Sequence, residues 1–484
     1  MRFKIQYIIL VLAVTVSLAM EAKDSLNTLS HQIKSKVLKS SISSSNLGIL
    51  IRYDLGPDSK VLYQLNEKKK FIPASVSKII PATVALEAFP RGHQFVTKIL
   101  ANKDVSITKT LNGSIYIKGD GDPKFTSESM WELVNRFSRT GITKITGDII
   151  VDDSKFVQLR FDPSREASRI DRAYDAPVGA LSFNWNSVNM FVRPGKGVGT
   201  AAIVTADPIN EYVKVINQAK TVKAHKKTRL RVTRKNNTKF KKDTIVVTGT
   251  IALGHSEIVK YKNISYPDYW SGYQLKAFLK QRGIKVSGHV TKGKAPKATI
   301  LLAQLPSANI SLIVSDMMKY SNNYIAEMLT KNLAALGQKT NVSLKQGVSK
   351  MSLYLRNRIG LENSPFVFKN PSGLTRENRF SPEDIDLIHS SVQKNFQIFP
   401  EYLNSLPISG IDGSLKNRMK NFNIKGWVRA KTGTLTGVTA LAGFAGQSGG
   451  TMFQFVYFFN GPERKKQKAM KLFDELSKTL VQGH

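Results

Sequence analysis

The chain has 484 residues, no cysteine, seven histidines and a formal net charge of +37. This length predicts two or three domains, and the absence of cysteine excludes disulfides, thiolate metal sites and a cysteine nucleophile. No His, Asp or Glu cluster has metal-ligand spacing, so we expect neither a metal nor a cofactor. We expect no nucleic-acid partner, because no signature of such binding occurs, and the charge favours association with an anionic wall or membrane surface.

The first 22 residues have the layout of a secretory signal peptide. A basic start with Arg2 and Lys4 precedes an apolar run over residues 5–20, and small residues stand near a plausible cleavage point. The run is short for a membrane span. An uncleaved anchor is the alternative, but either segment predicts a location outside the cytoplasm, and we expect the periplasm.

The remaining chain predicts helices at both ends of a β-rich middle. Apolar spacing and turn residues predict the following elements in chain order: a helix within 24–45, a hairpin of strands 47–54 and 61–66, a helix within 71–88, short strands over 95–300, helices over 311–336 and 342–356, a meander of strands 425–434, 438–445 and 452–459, and an amphipathic helix over 463–481 that packs on that sheet.

Within the β-rich middle, residues 220–242 contain eleven Lys and Arg. Alternation in residues 229–232 predicts an exposed strand, and Asn236-Asn237 predicts a turn after it. Two interpretations stay open for this basic run. It is either a solvated charged face or a docking patch for an anionic surface.

The candidate nucleophile is Ser75, three residues before Lys78 in the predicted helix. Residues with this spacing share a helix face, so the Lys78 amine can reach the Ser75 hydroxyl and accept its proton. A lysine can act as such a base when burial or neighbouring cations destabilise its ammonium form. The same pattern also occurs at residues 106–109, so Ser-x-x-Lys alone does not select Ser75.

A second motif, Ser321-Asn322-Asn323, opens a segment that continues with helical spacing. Ser-x-Asn triplets also begin at residues 25, 44, 182 and 307, so the pattern alone is weak, and the triplet at Ser321 is the one that opens the helical segment 324–329. We therefore expect Ser321 and Asn323 to lie at a loop–helix junction.

The third motif, Lys431-Thr432-Gly433-Thr434, lies on a predicted strand that ends in a turn at Gly437. A cation beside hydroxyls can clamp a substrate carboxylate. The missing side chain of Gly433 lets an extended peptide lie against the strand. In the alternative interpretation, Gly433 marks a bulge and Lys431 an exposed edge.

In this order, the three motifs resemble the set found in penicillin-binding proteins and class A β-lactamases. Ser321 follows Ser75 by 321 − 75 = 246 residues, and Lys431 follows Ser321 by 110. The long first interval resembles the low-molecular-mass class C penicillin-binding proteins, which are D-Ala-D-Ala carboxypeptidases/endopeptidases. Other stretches that resemble this family are residues 73–75, 119–123, 147–152, 179–184, 281–284, 372–378 and 406–415.

The resemblance implies an α+β fold. It comprises a penicillin-binding/β-lactamase-like transpeptidase domain, an antiparallel sheet with helices, that carries two inserted β-rich domains. The implied catalytic domain covers residues 24–94 and 301–484. The implied insertion covers residues 95–300, with one subdomain near 165–250.

The resemblance also implies roles for the motif residues. Ser75 attacks the bond between two D-alanines of a peptidoglycan stem peptide with Lys78 as base, Ser321 passes a proton to the leaving amine, and Asn323 orients the acyl amide. Lys431, Thr432 and Thr434 hold the terminal carboxylate beside Gly433, and the backbone N–H groups of Ser75 and Thr434 form the oxyanion hole.

Two further expectations come from the same resemblance. Asp152 and Arg376 hold the charged end of the diamino-acid side chain in the stem peptide, and β-lactams acylate Ser75 as inhibitors. The alternatives are a β-lactamase or esterase of the same fold, which would turn penicillin over rapidly, and a non-catalytic wall-binding protein.

Overall fold

The computed structural model describes residues 25–53, 55, 59–161, 163, 175–337, 340–420 and 423–483. The predicted signal peptide lies outside these residues. The chain forms two compact units. One is made from the described residues of Met1–Glu87, Val314–Ser321 and Met351–His484, and the other from those of Ala88–Ile313 and Asn322–Lys350.

The described α-helices are distributed over the whole chain. In chain order they are α1 (25–39), α2 (Ile79–Ala88), α3 (Ser127–Ser138), α4 (Pro267–Gln281), α5 (Ile310–Lys319), α6 (Asn323–Ala334), α7 (Leu344–Asn357), α8 (Pro382–Gln393), α9 (Phe399–Ser405) and α10 (Glu463–Gln482).

Most of the described strands lie between α2 and α5, as the sequence predicted. In chain order the strands are β1 (Leu47–Tyr53), β2 (Lys60–Leu65), β3 (Val96–Asn102), β4 (Thr110–Leu111), β5 (Ile115–Lys118), β6 (Lys144–Ile145), β7 (Ile149–Asp152), β8 (Ser187–Arg193), β9 (Ile203–Asp207), β10 (Val213–Asn217), β11 (Lys220–Val222), β12 (Arg229–Asn237), β13 (Lys242–Ala252), β14 (Ile258–Asn263), β15 (Lys285–Val286), β16 (Val290–Lys292), β17 (Thr299–Pro306), β18 (Val428–Leu435), β19 (Val438–Gly446) and β20 (Met452–Asn460).

The first unit is built on a five-stranded antiparallel sheet with the order β18-β19-β20-β1-β2. Its central strand β20 is buried from Phe453 to Phe459, which requires cover on both faces. Residues Phe453, Phe455, Tyr457 and Phe459 share a core with α1 and α10. The predicted hairpin, the meander and the packing of the C-terminal helix on this sheet are therefore confirmed.

The periodic apolar side chains of α1 and α10 explain why these two helices cover the sheet. Leu29, Ile33 and Val37 recur every four residues on α1, and all three are buried. On α10 the buried stripe includes Ala469, Leu472, Phe473, Leu476 and Leu480. Spacing of three and four residues places such side chains on one helix face.

Several predicted elements differ from the structure. The predicted helical stretch 311–336 is divided into α5 and α6, because Ser321, with a φ of 53°, turns the chain between them. The segment from Ala74 to Lys78 is a 3-10 turn before α2, since Ala74 has a positive φ of 48° that an α-helix does not allow. β18 begins at Val428, because Gly426, with a φ of 89°, turns the chain just before it. Asn236 and Asn237 end strand β12 and do not form a turn, because they pair with Asp243 and Lys242 of β13.

The second unit contains four sheets around one extended core. A five-stranded sheet has the order β16-β7-β5-β3-β17, and a three-stranded sheet has the order β15-β6-β4. The other two are β14-β8-β9 and a sheet in which β13 pairs with β10, β11 and β12. Helices α3 and α4 pack on strands of this unit.

The second unit also contains residues 322–350, which the sequence analysis placed in the catalytic domain. Side-chain and backbone bonds attach this segment to the β-rich part: Asn332 donates to the Gly121 carbonyl at 2.7 Å, and Phe156 bridges to Val342. Such long-range contacts cannot be read from local spacing. The predicted domain limits and the two subdomains of the insertion stay predictions.

Within the described chain, no helix combines the length and apolar character needed to cross a membrane.

Candidate active site

Ser75 and Lys78 lie in the 3-10 turn at the start of α2. Their spacing brings the Lys78 Nζ to 3.1 Å from the Ser75 Oγ. Lys78 is fully buried, whereas Ser75 is only partly buried. The lysine is thus enclosed behind a serine hydroxyl that keeps access to solvent.

The carbonyl oxygen of Ser372 lies beside both groups. Lys78 Nζ donates to it at 2.5 Å, and Ser75 Oγ lies 3.4 Å from it. The next residue, Gly373, has a φ of 76°, and a Cβ there would collide with the carbonyl of Ala74. A glycine is therefore required where this loop approaches the serine turn.

The sequence analysis assigned no role to Ser372 or Gly373. Both belong to the stretch 372–378 that carried part of the family resemblance. The Ser-Gly pair was the sequence signal that could have indicated a loop at this position. A second bond fixes the same loop, because Asn378 Nδ2 donates to the Ser77 Oγ at 3.0 Å.

Ser321 and Lys431 form the second polar pair of the first unit. Lys431 Nζ donates to the Ser321 Oγ at 2.9 Å and to the Thr432 carbonyl at 2.8 Å. Ser321 follows α5 in a bend with a positive φ of 53°, so its hydroxyl stands outside any helix. Burial of Lys431 lowers the pKa of its ammonium to about 7.

Strand β18 runs directly beside the serine turn. A Cβ on Gly433 would lie 2.6 Å from the Pro73 carbonyl oxygen and 3.2 Å from the Ala74 Cβ. Packing within the protein therefore requires a glycine at position 433, independently of any substrate that lies there. Strand β18 has no bulge at Gly433, because it pairs in unbroken register with β19. Lys431 is buried, so it does not form the exposed edge of the alternative interpretation.

The hydroxyls of the third motif differ in their surroundings. Thr432 Oγ1 lies 2.7 Å from the Ser414 Oγ, while Thr434 is exposed. Strand β18 is at the edge of its sheet, and residues 407–409 bond to it only near Val428 and Ala430. In the part of the chain that the structure describes, no strand pairs with this edge from Lys431 onward.

Asn323 is the first residue of α6 and belongs to the second unit. The helix is capped by the preceding residue, because Asn322 Oδ1 accepts a bond from the backbone N–H of Ile325 at 3.1 Å. The predicted loop–helix junction is thus present. The predicted role of Asn323 stays a prediction.

Asp152 and Arg376 lie in different units. Asp152 ends β7, is buried, and accepts bonds from the backbone N–H groups of Ser154 at 3.0 Å and Ala295 at 2.9 Å. Arg376 is exposed and donates to the Thr436 carbonyl, just beyond the Lys431 motif. Their expected role in holding a diamino-acid side chain stays a prediction.

No group of three or more His, Asp or Glu in the described residues could hold a metal ion. The polar groups around Ser75 instead provide a hydroxyl nucleophile, a buried amine and a second Ser–Lys pair. These groups suit acyl transfer through a serine activated by lysine. The class of protein that they define is a serine acyl-transfer enzyme.

Comparison with solved structures extends this conclusion to the fold. Penicillin-binding protein 4 (dacB) of Haemophilus influenzae superposes with a TM-score of 0.76 at 22% identity, covering 91% of this chain and 98% of that one. A predatory peptidoglycan endopeptidase of Bdellovibrio bacteriovorus gives a TM-score of 0.53 at 15% identity, with 90% and 92% covered. The predicted penicillin-binding fold with additional domains is confirmed.

Sequence comparison identifies the family. Residues 29–479 match the D-Ala-D-Ala carboxypeptidase 3 (S13) family, and the chain belongs to it. A D-alanyl-D-alanine carboxypeptidase of Actinomadura sp. is 27% identical over 82% of this chain and 74% of its own length. The carboxypeptidase DacB of Haemophilus influenzae is 25% identical over 83% of each chain.

The protein is therefore a low-molecular-mass class C penicillin-binding protein. It is a serine-type D-Ala-D-Ala carboxypeptidase/endopeptidase that acts on peptidoglycan. This confirms the function predicted from the three motifs and their spacing.

Proposed function

We propose that the reaction runs through an acyl-enzyme on Ser75. Lys78 takes the proton of the Ser75 hydroxyl, whose oxygen attacks the carbonyl between two D-alanines. The observation that carries this proposal is the 3.1 Å separation of the two side chains with Lys78 fully buried. This separation is within hydrogen-bond reach, the geometry that a general base needs for the proton it takes.

Ser321 is the proposed proton donor to the departing D-alanine amine. Its hydroxyl accepts a bond from Lys431, which leaves its own proton free for a substrate atom. The proton that Lys78 took from Ser75 then restores the Ser321 hydroxyl. After D-alanine leaves, water attacks the acyl-enzyme, gives one proton to Ser75 through Lys78, and releases the acyl group as a carboxylic acid. The step needs no metal or cofactor.

Strand β18 is the proposed docking edge for the substrate peptide. An extended D-alanyl peptide would add to the edge from Lys431 onward as a further strand. Lys431, Thr432 and Thr434 would hold its terminal carboxylate, while the backbone N–H groups of Ser75 and Thr434 would stabilise the oxyanion. Asn323 would orient the acyl amide, and Asp152 and Arg376 would engage the diamino-acid side chain.

β-Lactams are the proposed inhibitors. A second structure of penicillin-binding protein 4 from Haemophilus influenzae, complexed with a β-lactam, superposes with a TM-score of 0.73. By analogy, the β-lactam carbonyl would acylate Ser75 in this chain, and the opened ring would leave slowly.

The proposed location is the periplasm. The signal-like layout of residues 1–22 supports export, and cleavage there removes Arg2, Lys4 and Glu21 and leaves a net charge of 37 − 2 + 1 = +36. A charge of this size favours residence near anionic wall or membrane surfaces.

Release of D-alanine from a pentapeptide that ends in D-Ala-D-Ala tests the mechanism. We expect activity in the wild-type chain and a loss of about 10³-fold or more in Lys78→Ala, since a general base contributes about 10²–10⁴-fold. Lys68→Ala, which removes an exposed lysine of the same unit, is the matched control and should keep full activity. Undiminished release by Lys78→Ala would rule out Lys78 as the base.

A further inference from the structure

The sheet formed by β10, β11, β12 and β13 presents one exposed cationic face. β13 pairs in parallel with β10 and β11, and antiparallel with β12. Side chains that face each other across paired strands lie on the same side of the sheet. Along β13 this side carries Thr244, Val246, Thr248 and Thr250.

Five cations flank this central row. By register, Lys214 and Lys235 lie next to Thr244, Arg231 next to Thr248, and Lys220 and Arg229 next to Thr250. All five side chains are exposed. We call this set of five, with the row between them, the cationic face.

The opposite side of the sheet faces the core. Ile245 and Val247 of β13 and Val232 of β12 are buried there. Asp243, the only acidic residue in the sequences of the four strands, also lies on that side. Its carboxylate pairs with Arg234 at 3.3 Å and accepts a bond from the Tyr212 hydroxyl at 2.9 Å.

The cationic face therefore receives no acidic side chain from its own strands. Among the described residues, none of its five cations forms an ion pair with a carboxylate. The loop from β11 to β12 adds three exposed lysines, Lys223, Lys226 and Lys227. A surface that is merely solvated normally mixes charges of both signs, and this one does not.

The cations are spread in two dimensions. Alternate residues on a strand lie about 7 Å apart and neighbouring strands about 5 Å apart, so the five charges cover an area of about 10 by 20 Å. A single phosphate group would contact only one or two of them. A linear polymer would contact only those along its path, whereas a planar array of anions can contact all five.

We propose that the cationic face docks the protein on the anionic headgroups of a phospholipid bilayer. The proposal relies on the proposed export, which brings the chain to a membrane surface. Docking is electrostatic and shallow, because the apolar side chains that the strands present there are few and small, such as Val246, Ile216 and Val222. Each Lys or Arg near such a surface strengthens binding about five-fold, and salt weakens it.

Vesicle co-sedimentation of the full chain without its signal peptide tests this proposal. The vesicles contain either phosphatidylcholine alone or equal parts of phosphatidylcholine and phosphatidylglycerol. The variant Arg229→Gln/Arg231→Gln/Lys235→Gln removes three charges from the face. The control Lys103→Gln/Lys109→Gln/Arg139→Gln removes three exposed charges of the same unit that lie outside these strands.

We expect the wild-type chain to bind the phosphatidylglycerol vesicles only, and less at high salt. The face variant should bind roughly 100-fold more weakly, from three contacts of about five-fold each, and the control less than about five-fold more weakly. Release of D-alanine from a soluble pentapeptide should be unchanged in both variants, which separates failure of docking from failure of the proposed mechanism.

Three outcomes would overturn the proposal. The first is no binding of the wild-type chain to phosphatidylglycerol vesicles. The second is an equal loss in the two variants, which would assign binding to net charge alone. The third is binding to purified wall polymer, with sensitivity to the face variant, in the absence of any vesicle binding.

Discussion

Two lysines of the site have different surroundings, which match different tasks. Lys78 lies against the Ser75 hydroxyl and the Ser372 carbonyl, where a neutral amine can take a proton. Lys431 bonds to the Ser321 hydroxyl and the Thr432 carbonyl on strand β18. We assign proton abstraction to Lys78 and carboxylate binding to Lys431.

The pH dependence of kcat/KM tests the assignment of Lys431. Its pKa is lowered by burial to about 7, so the ammonium form dominates below that pH and the neutral amine above it. If the Lys431 ammonium holds the substrate carboxylate, kcat/KM for a D-Ala-D-Ala peptide should fall as the pH rises through about 7. In Lys431→Arg, which stays charged, this fall should disappear or move to higher pH. An increase of kcat/KM through the same range would contradict the assignment.

The serine turn leaves no room for a side chain at position 373, where the chain has a glycine. We expect Gly373→Ala to lose about 2–4 kcal/mol of unfolding free energy, from left-handed strain and from collision with Ala74. Acylation by a penicillin should slow by more than about ten-fold, because displacement of the nucleophile misaligns the attack. Chemical denaturation and the rate of labelling measure the two effects.

Gly360→Ala separates the two causes. Gly360 also has a positive φ, 87°, but a Cβ there would meet nothing within 4 Å. We expect a cost of about 1 kcal/mol and an unchanged acylation rate. Equal behaviour of the two alanine variants would show that the contact with Ala74 is unimportant.

At the scale of whole elements, the sequence predicted what depends on periodicity. Strands β1 and β18–β20 were recognisable as apolar-rich runs that are buried over most of their length, and α10 was recognisable because it buries one continuous face. Short connections place β1 beside β2, and β19 between β18 and β20. The pairing of β20 with β1 joins distant parts of the chain and does not follow from such connections. The pair Ser75 and Lys78 was recognisable from local spacing, since the two residues lie three positions apart, and the later motifs selected it over residues 106–109.

Features that depend on distant contacts were not predictable. The 3-10 turn at Ala74 arises where Gly373 and Gly433 approach it from far along the chain. The Ser372 carbonyl reaches Lys78 across 294 residues. The Ser372-Gly373 pair could indicate a loop, but the contact of the Ser372 carbonyl with Lys78 can be identified only after folding.

Packing of α10 on the sheet gives a stability prediction at this scale. Phe473 is fully buried, and its ring centroid lies 5.4 Å from that of Tyr457 on β20. Phe473→Ala should lower the unfolding free energy by about 3–5 kcal/mol, as truncation of a buried aromatic side chain does. Lys468→Ala, on the exposed side of the same helix, should change it by less than about 0.5 kcal/mol. Urea denaturation compares them, and similar losses would contradict the packing.

At the scale of the whole molecule, the long interval between Ser75 and Ser321 is occupied by most of the second unit. The Ser75–Lys78 and Ser321–Lys431 pairs lie in the first unit, which is assembled from three separate stretches of chain. The two Ser–Lys pairs and the cationic face thus lie in different units of one chain. The cationic face can change without altering the residues around Ser75.

Export is the second expectation at this scale. The chain recovered from the periplasm should lack about the first 22 residues, as intact-mass spectrometry would show. Leu12→Arg, which places a charge in the apolar run, should leave full-length protein in the cytoplasm. Full-length wild-type protein held in the membrane would instead identify the segment as an uncleaved anchor.

Covalent labelling by a penicillin is the most direct test of the central claim that Ser75 forms the acyl-enzyme. Intact-mass spectrometry of the wild-type chain should show one added penicillin, and peptide mapping should locate it on Ser75. Ser75→Ala should show no adduct while keeping its fold. A wild-type chain without an adduct, or an adduct that persists in Ser75→Ala, would contradict the account.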